Sequence, residues 1–379
     1  MRVLIAEDER ITLRTLERRV SGWGHDVATA ENGAAAWELF QKQPFDAVLT
    51  DWQMPEMDGL ELVRRIREAS TAAGRYVYVI LLTSKSEKTE LVAGLDAGAN
   101  DFLTKPFDSG ELQARLNSGQ RIIDLERELA AKNATLQKDL DAAADYVRSL
   151  LPAPLTGPIS IDWRYIPAGD LAGDSLGYHW VDGEHLAMYV LDVTGHGLDA
   201  ALLSVTVLNV VRSMSLPGVD FCDPAQVLAG LNQRFPMEEH QDRCFTAWYG
   251  VYSKATRELA WCGGGHPAAL LFASDRYARP VELPSNGPLV GMWPMWDGVT
   301  QRRTIGAGET LCVLSDGAFE IETPEGVQGT WEEFVDSAVQ LRSSGRELLG
   351  GLIEVAKKRR GQPGFEDDVT LVLATFGVI

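Results

Sequence analysis

Cysteine is scarce in this chain: Cys222, Cys244, Cys262 and Cys312 are the four in 379 residues. Their spacings suggest no pairing, and all lie in or beside apolar segments. They read as reduced, mostly buried thiols rather than a disulfide framework. The six histidines do not cluster with them, which argues against a zinc site. Basic residues are also in deficit, 35 Lys and Arg against 54 Asp and Glu, for a net charge of -19. That field opposes nonspecific binding to nucleic acid, and no basic stripe offsets it. Long uncharged apolar runs of the kind a membrane span needs are missing. The opening MRVLIAEDER is too charged, and its apolar part too short, for a signal peptide. These absences predict a cytoplasmic protein with no nucleic-acid or membrane partner.

What is present is acid in two separate sets. The first is Glu7, Asp8 and Asp51, accompanied downstream by Thr83 and Lys105. The second is Asp174, Asp192, Asp316, Asp367 and Asp368. Nearly every member ends or closely follows a short apolar run that reads as a buried strand. Carboxylates gathered at strand ends repel one another unless a divalent cation lies between them. The pattern predicts two Mg²⁺- or Mn²⁺-using domains in series, in a length that suits two or three domains.

Residues 1–118 alternate strand and helix signals. VLIA, DVATA, AVLT, YVIL and DFLT read as strands, and stretches such as Ile11–Ser21, Ala34–Gln41 and Leu60–Ala69 have helical apolar spacing. Alternation of this kind implies a parallel sheet with helices on both faces and a site at the carboxyl ends of the strands. The segment resembles a CheY-like receiver domain of a two-component response regulator. The resemblance implies a five-stranded α/β fold with Asp51 as phosphoacceptor. Glu7 and Asp8 would hold Mg²⁺ with Asp51, the Gln53 backbone carbonyl adding a ligand. Thr83 and Lys105 would hold the phosphoryl oxygens, Phe102 is the aromatic switch position, and Lys105–Pro106 would be a cis peptide. Ser84, where alanine is common, and Trp52, directly after the acceptor, depart from the usual pattern.

Residues 119–151 are rich in Ala, Leu, Glu and Lys and read as a helical linker. Ile122, Leu125 and Leu129 have 3–4 spacing, resumed by Leu136, Leu140, Ala143, Val147 and Leu150 after a polar break at Lys132 and Asn133. A dimeric coiled coil fits this seam, as does a helix packed on one of its own domains. LLPAP ends the helix.

Residues 152–379 carry hairpin-like strand runs (LAMYVLDV, FTAWYGVYS, ELAWC, AALLFA, TLCVLSD, DVTLVLATF). Helical stretches lie at Asp199–Met214, Ala225–Arg234, Trp331–Leu341 and Arg346–Arg359. Antiparallel sheets follow. Four separated aspartates without paired histidine or cysteine specify a hard, oxygen-binding cation.

The ordered set GD, DVTGHGLDAALL, CFTAWYGVY, GGGHPAALL, GPLVGM, LSDGAFE and DDVTLVL resembles the metal-dependent PPM (type 2C-like) Ser/Thr protein phosphatases, in the SpoIIE/RsbU branch. That resemblance implies an α+β fold with an antiparallel β-sandwich flanked by helices, and two Mn²⁺ or Mg²⁺ ions. Asp192 would bridge both ions, with the Val193 carbonyl completing one shell. Asp174 would serve one ion, and Asp316 and Asp367 the other. Asp368 would act behind the ligands, and His196 would stabilise its turn. Ser175–Leu176–Gly177 after GD, and Gly263–Gly264 in place of asparagine-alanine, depart from the branch.

The combined expectation is a response regulator, phosphorylated at Asp51 by a cognate histidine kinase, whose output is a protein phosphatase. Resemblance implies a phosphorylated anti-sigma-factor antagonist as substrate, and the helix implies a homodimer. The alternative is a catalytically inactive pseudophosphatase adaptor that grips a sigma factor or antagonist.

Overall fold

The computed structural model describes residues 1–84 and 88–377. The last two residues of the predicted span 152–379 thus lie outside the described residues. The chain divides into two compact units, Met1–Gln137 and Lys138–Ile379. Among the described residues no helix is long and apolar enough to cross a membrane.

In the first unit, strands β1 (Arg2–Ala6), β2 (Asp26–Ala30), β3 (Ala47–Asp51), β4 (Tyr78–Thr83) and β5 (Asp101–Thr104) form a parallel sheet in the order β2-β1-β3-β4-β5. Successive strand residues point to opposite faces, and here both faces are apolar. Val3, Ile5, Leu49, Ile80 and Leu82 pack with Leu13, Leu16 and Val20 of helix α1 (Arg10–Gly22). Leu4, Ala6, Val48, Val79 and Leu81 pack instead with Ala36 of α2 (Gly33–Lys42) and with Leu62, Val63 and Ile66 of α3 (Gly59–Ala72). Two-sided burial explains why these strands read as continuous apolar runs. Asn32 and Asp58 cap α2 and α3 by accepting the Ala35 and Glu61 amides. Helix α4 (Lys88–Asp96) precedes β5.

Helix α5 runs unbroken from Ser109 to Leu150. Its start belongs to the first core, where Leu112, Leu116 and Ile123 are buried against the sheet. Gly119 admits the Tyr78 ring, since a Cβ there would stand 2.5 Å from it. Farther along, Leu125, Leu129 and Leu136 are 64%, 55% and 61% exposed. The predicted seam therefore divides. Leu140, Ala143, Val147 and Leu150 are partly buried, and Leu150 packs on the core of the second unit. For its last turns, packing on its own domain is what the helix does.

The second unit is a four-layer sandwich. One antiparallel sheet has the order β13-β10-β9-β8-β7, from β7 (Ser175–Trp180), β8 (His185–Val193), β9 (Phe245–Ser253), β10 (Glu258–Gly264) and β13 (Gln301–Thr304). The other has the order β12-β11-β14-β15-β6, from β6 (Ile159–Ile166), β11 (Ala269–Phe272), β12 (Val281–Leu283), β14 (Glu309–Leu314) and β15 (Val369–Phe376). Met188, Val190, Trp248, Trp261, Val313 and Phe376 fill the space between the sheets. Outside the first sheet, α6 (Leu198–Arg212) and α7 (Pro224–Arg234) cover Tyr189, Leu191 and Tyr249. Outside the second, α8 (Trp331–Ser343) and α9 (Leu348–Arg360) cover Phe272, Leu314 and Leu371. Thr330 and Glu333 close a reciprocal capping box at the start of α8.

Gly119→Val should overpack the α5–Tyr78 contact and destabilise the first unit by about 1–3 kcal/mol. An earlier first transition in urea unfolding of the full chain is the expected result. An unchanged transition would show that α5 is not part of that core.

Candidate functional site

The strand order of the first unit reverses between β1 and β3, and ligands of such sheets collect at the carboxyl ends there. Glu7 and Asp8 follow β1, Asp51 ends β3, Thr83 ends β4 and Lys105 follows β5. The structure brings Glu7, Asp8 and Asp51 together, with carboxylate oxygens within 4.8 Å of one another. Lys105 Nζ lies 2.6 Å from Glu7 Oε2 and 3.0 Å from Asp51 Oδ2. Burial raises the Glu7 carboxyl pKa, against the hydrogen bond from Lys105. The Lys105 ammonium pKa is raised as well, because Glu7 and Asp51 outweigh the burial that opposes its charge. Thr83 is buried, and its carbonyl accepts the Lys105 amide at 2.7 Å. Lys105–Pro106 is cis. Gln53 is exposed in the bend after β3, and Phe102 is partly buried in β5 against the same core as Trp52.

Two glycines set the surroundings of Asp51. A Cβ on Gly59 would come within 2.1 Å of the Asp51 carbonyl oxygen, so α3 starts hard against Asp51. Gly94 of α4 faces the Trp52 indole, at 3.0 Å from where its Cβ would stand. The unusual residue after Asp51 therefore rests on α4.

In the second unit Asp192 is next to last in β8, opposite Thr246 of β9. A turn, Thr194–Gly197, then leads into α6, with positive φ at Gly195 and Gly197. Asp174 immediately precedes β7 and is buried; it accepts the Ser315 hydroxyl at 2.7 Å. Asp316 opens a 3₁₀ turn, Asp316–Ala318, after β14. Gly317 lets that turn lie on the Asp367–Asp368 backbone, for its Cβ would stand 2.2 Å from the Asp368 carbonyl oxygen. Asp367 is exposed, while Asp368 is buried. The Asp368 carboxylate accepts the amides of Ala168 at 2.8 Å and Gly173 at 2.7 Å. It is thereby committed to the loop that carries Asp174.

Charge crowding marks this as one site. Burial, then Asp316, Asp367 and Asp368, push the Asp192 carboxyl up to about 8. Burial and Asp192 push Asp174 well above the ordinary carboxylate range. Burial and Asp367 raise Asp316. Asp368 is also raised, by burial against the pull of its amide donors. An all-oxygen set that holds its protons this strongly fits hard divalent cations. Among the described residues the four aspartates Asp174, Asp192, Asp316 and Asp367 do not meet the 4.8 Å convergence of the Glu7 cluster.

His196 is exposed on the turn and borders an open crevice of about 530 Å³ with Ala168, Asp170, Leu198, Glu366 and Leu140 of α5. His266 is buried, its Nδ1 paired with Thr246 Oγ1 at 2.7 Å, and burial lowers its pKa to about 3. It is a neutral core histidine. The departures at Gly177 and Gly263 have steric reasons. A Cβ on Gly177 would stand 2.4 Å from the Tyr189 ring, and one on Gly263 would collide with the Ser285 side chain.

Sequence reading missed Arg243. Its Nη1 donates to the Thr194 carbonyl at 3.0 Å, and its Nη2 lies 3.6 Å from Asp199. The guanidinium therefore straddles the turn after Asp192, with Nε buried and unbonded. No spacing signal joins Arg243 to that turn; only the β8–β9 pairing does. The expectation that no histidine clusters with a cysteine is also overturned. Ligand atoms of Asp182, His185 and Cys222 lie within 4.8 Å of one another. The β7–β8 turn and the α6–α7 loop meet in space although they are far apart in sequence.

Residues 3–117 match the family of response regulator receiver domains, and residues 182–377 match the family Stage II sporulation protein E (SpoIIE). Over 136 residues the chain is 37% identical to response regulator MprA of Mycobacterium ulcerans (strain Agy99), covering 36% of this chain and 57% of that protein. Over 126 residues it is 36% identical to the TorCAD operon transcriptional regulatory protein TorR of Escherichia coli O157:H7, covering 33% of this chain and 53% of that protein. The chain thus spans about half the length of the curated relatives it matches. The solved SiaA-PP2C domain of Pseudomonas aeruginosa shares the fold, with a TM-score of 0.56 at 20% identity over 65% of this chain and 99% of that one.

The raised Asp192 pKa has a consequence for stability. Between its ordinary value of 3.8 and about 8, the folded chain keeps a proton that the unfolded chain has lost. Without divalent cation, the stabilisation is full below about pH 4 and falls as pH rises to about 8, by about 1.4 kcal/mol per pH unit for one such proton. Asp174, Asp316 and Asp368 act in the same direction. Urea unfolding in EDTA from about pH 5 to 8 should show the fall, Mn²⁺ should offset it most at the alkaline end, and Asp192→Asn should make it shallower. A pH-independent midpoint in EDTA would refute the crowding.

Proposed function

This chain belongs to the Stage II sporulation protein E (SpoIIE) family, with a receiver domain ahead of a PP2C-type phosphatase domain, and on that premise we propose that it is a response regulator whose output is a metal-dependent Ser/Thr protein phosphatase. The observation that carries the reading is the crowded set of Asp174, Asp192, Asp316, Asp367 and Asp368, in which burial, then the charges of Asp316, Asp367 and Asp368, raise Asp192 to about 8. We assign 1–118 to the receiver, 119–151 to a helical linker and 152–379 to the phosphatase.

Asp192, Asp174, Asp316, Asp367 and the Val193 carbonyl would hold two Mn²⁺ or Mg²⁺ ions. Such ions lower the pKa of water and neutralise a phosphoryl group under attack. The protein's own part is placement. Ser315 fixes the Asp174 carboxylate by its hydroxyl. Asp368 ties the Asp174 loop to the end of β15 through backbone amides. Arg243, bonded to the Thr194 carbonyl, brings a positive charge to the turn after Asp192, where it would attract a phosphoryl group. His196 stays on the rim of the crevice, where a peptide chain has room to enter.

In the receiver, Asp51 would accept a phosphoryl group from a histidine kinase, with Mg²⁺ held by Glu7, Asp8 and the Gln53 carbonyl. Lys105 and Thr83 would meet the transferred oxygens, and Phe102 would follow the change. Helix α5 suits transmission because its first turns are core of one unit and Leu140 walls the crevice of the other. Its exposed Leu125, Leu129 and Leu136 suit a homodimeric pairing that phosphorylation alters. In this reading the substrate is a phosphorylated anti-sigma-factor antagonist, met in the cytoplasm.

Hydrolysis of a phosphoserine peptide in Mn²⁺, abolished by EDTA, tests the enzyme against the adaptor reading. Asp192→Ala, Asp316→Ala and Asp367→Ala should each lose about 10²-fold or more, and Asp368→Asn about 10- to 100-fold. Arg243→Ala should raise KM for the phosphopeptide. A dispensable Asp367 beside an indispensable Asp368 would reverse the assignment of that pair, and no hydrolysis by the unmodified chain would favour the adaptor.

A small-molecule phosphodonor in Mg²⁺ should label the wild type with an acid-stable, base-labile acyl phosphate and leave Asp51→Asn unlabelled. Phosphatase rate and sedimentation should both change on labelling. Label on the Asn variant would remove Asp51 from its role, and a rate indifferent to labelling would uncouple the two domains.

A further inference from the structure

The second unit carries a donor set that its phosphatase chemistry does not use. Asp182 lies on the turn joining β7 to β8, His185 opens β8, and Cys222 lies in the loop between α6 and α7. One ligand atom from each falls within 4.8 Å of the other two. The set stands at the opposite end of β8 from Asp192, roughly 23 Å away at about 3.3 Å per strand residue. It is therefore separate from the aspartate centre.

The turn fixes these side chains in place. Asp182 Oδ1 accepts the amides of Glu184 at 2.7 Å and His185 at 2.8 Å. Its Oδ2 is 2.8 Å from His185 Nδ1. On the other loop, the Cys222 amide donates to Asp220 Oδ1 at 2.9 Å, which brings a second carboxylate to the thiol's own turn. Cys222 and His185 are partly buried and Asp182 is exposed, so a hydrated ion can reach the group. The other three cysteines, Cys244, Cys262 and Cys312, are buried.

We propose that Asp182, His185 and Cys222 form a zinc site. Thiolate, imidazole and carboxylate together suit a borderline-soft ion, whereas the oxygen-only aspartates suit Mg²⁺ or Mn²⁺. Three protein ligands leave a fourth tetrahedral position to water or to Asp220. As the S–Zn bond forms, the Cys222 thiol gives its proton to solvent, and the imidazole binds in its neutral form. The ion clips the β7–β8 turn to the loop that feeds α7, two segments that the sequence leaves about 37 residues apart.

Co²⁺ titrated into the full-length, metal-free protein is the probe, because a near-ultraviolet sulfur-to-cobalt charge-transfer band requires a thiolate ligand. The expected result is a band that saturates at one ion per chain and is abolished by Zn²⁺. It should survive in Asp192→Ala, which separates this site from the phosphatase centre, and vanish in Cys222→Ser. His185→Gln should weaken binding by about tenfold or more, with unchanged circular dichroism. Zn²⁺ should also protect Cys222 from alkylation. Absence of the band in the wild type, its persistence in Cys222→Ser, or full affinity in a folded His185→Gln protein would overturn the proposal.

Discussion

Like charges held close together in a medium of low dielectric are the constraint on which both halves of this molecule depend. Each unit drives carboxylates to the ends of buried strands, where water is least able to screen them. The two units answer the repulsion differently. In the receiver a built-in cation, Lys105, bonds both Glu7 and Asp51. In the phosphatase no lysine or arginine stands within ion-pair distance of Asp174, Asp192, Asp316 or Asp367 among the described residues, and Asp192 retains its proton to about 8. The first site balances much of its charge with its own side chains. The second is incomplete as a protein alone and calls for cations.

The geometry that brings these groups together rests on absent side chains as much as present ones. Gly59 lets α3 start on the Asp51 carbonyl, and Gly317 lets the Asp316 turn lie on Asp367 and Asp368. Gly173 plays the same part at Val193, whose carbonyl oxygen a Cβ would approach to 2.8 Å. Asp368 then spends its carboxylate on the amides of the loop before β7. A residue that reads as one more acid in a motif is, by its contacts, a brace between the two sheets.

The receiver was legible almost throughout, because its central strands β1, β3 and β4 are buried on both faces and read as unbroken apolar runs. In the phosphatase the central strands β8, β9, β10, β11, β14 and β15 were readable for the same reason. Strands β6, β7, β12 and β13 were not, and all four are sheet edges. Edge strands mix polar and apolar residues, as ISIDWRYI and QRRT do, and lose the signal that burial imposes. Motif aspartates could be placed because each abuts an apolar run. Arg243 and the Asp182–His185–Cys222 group could not, because their partners meet only through sheet pairing and loop packing. The linker seam was ambiguous for a physical reason: one helix carries two apolar stretches with different uses.

That helix bears on how such proteins can be assembled from parts. The last turns of α5 belong to the phosphatase, with Leu150 in its core and Leu140 in the wall of its crevice. A gene fusion joined just before Pro152 would deliver a catalytic fold missing one of its own supports. A junction upstream, within the exposed stretch from Leu125 to Leu136, would hand over the phosphatase intact while leaving the receiver its packed α5. The solvent-facing middle of the helix is thus the seam along which recombination can exchange one domain without dismantling the core of the other.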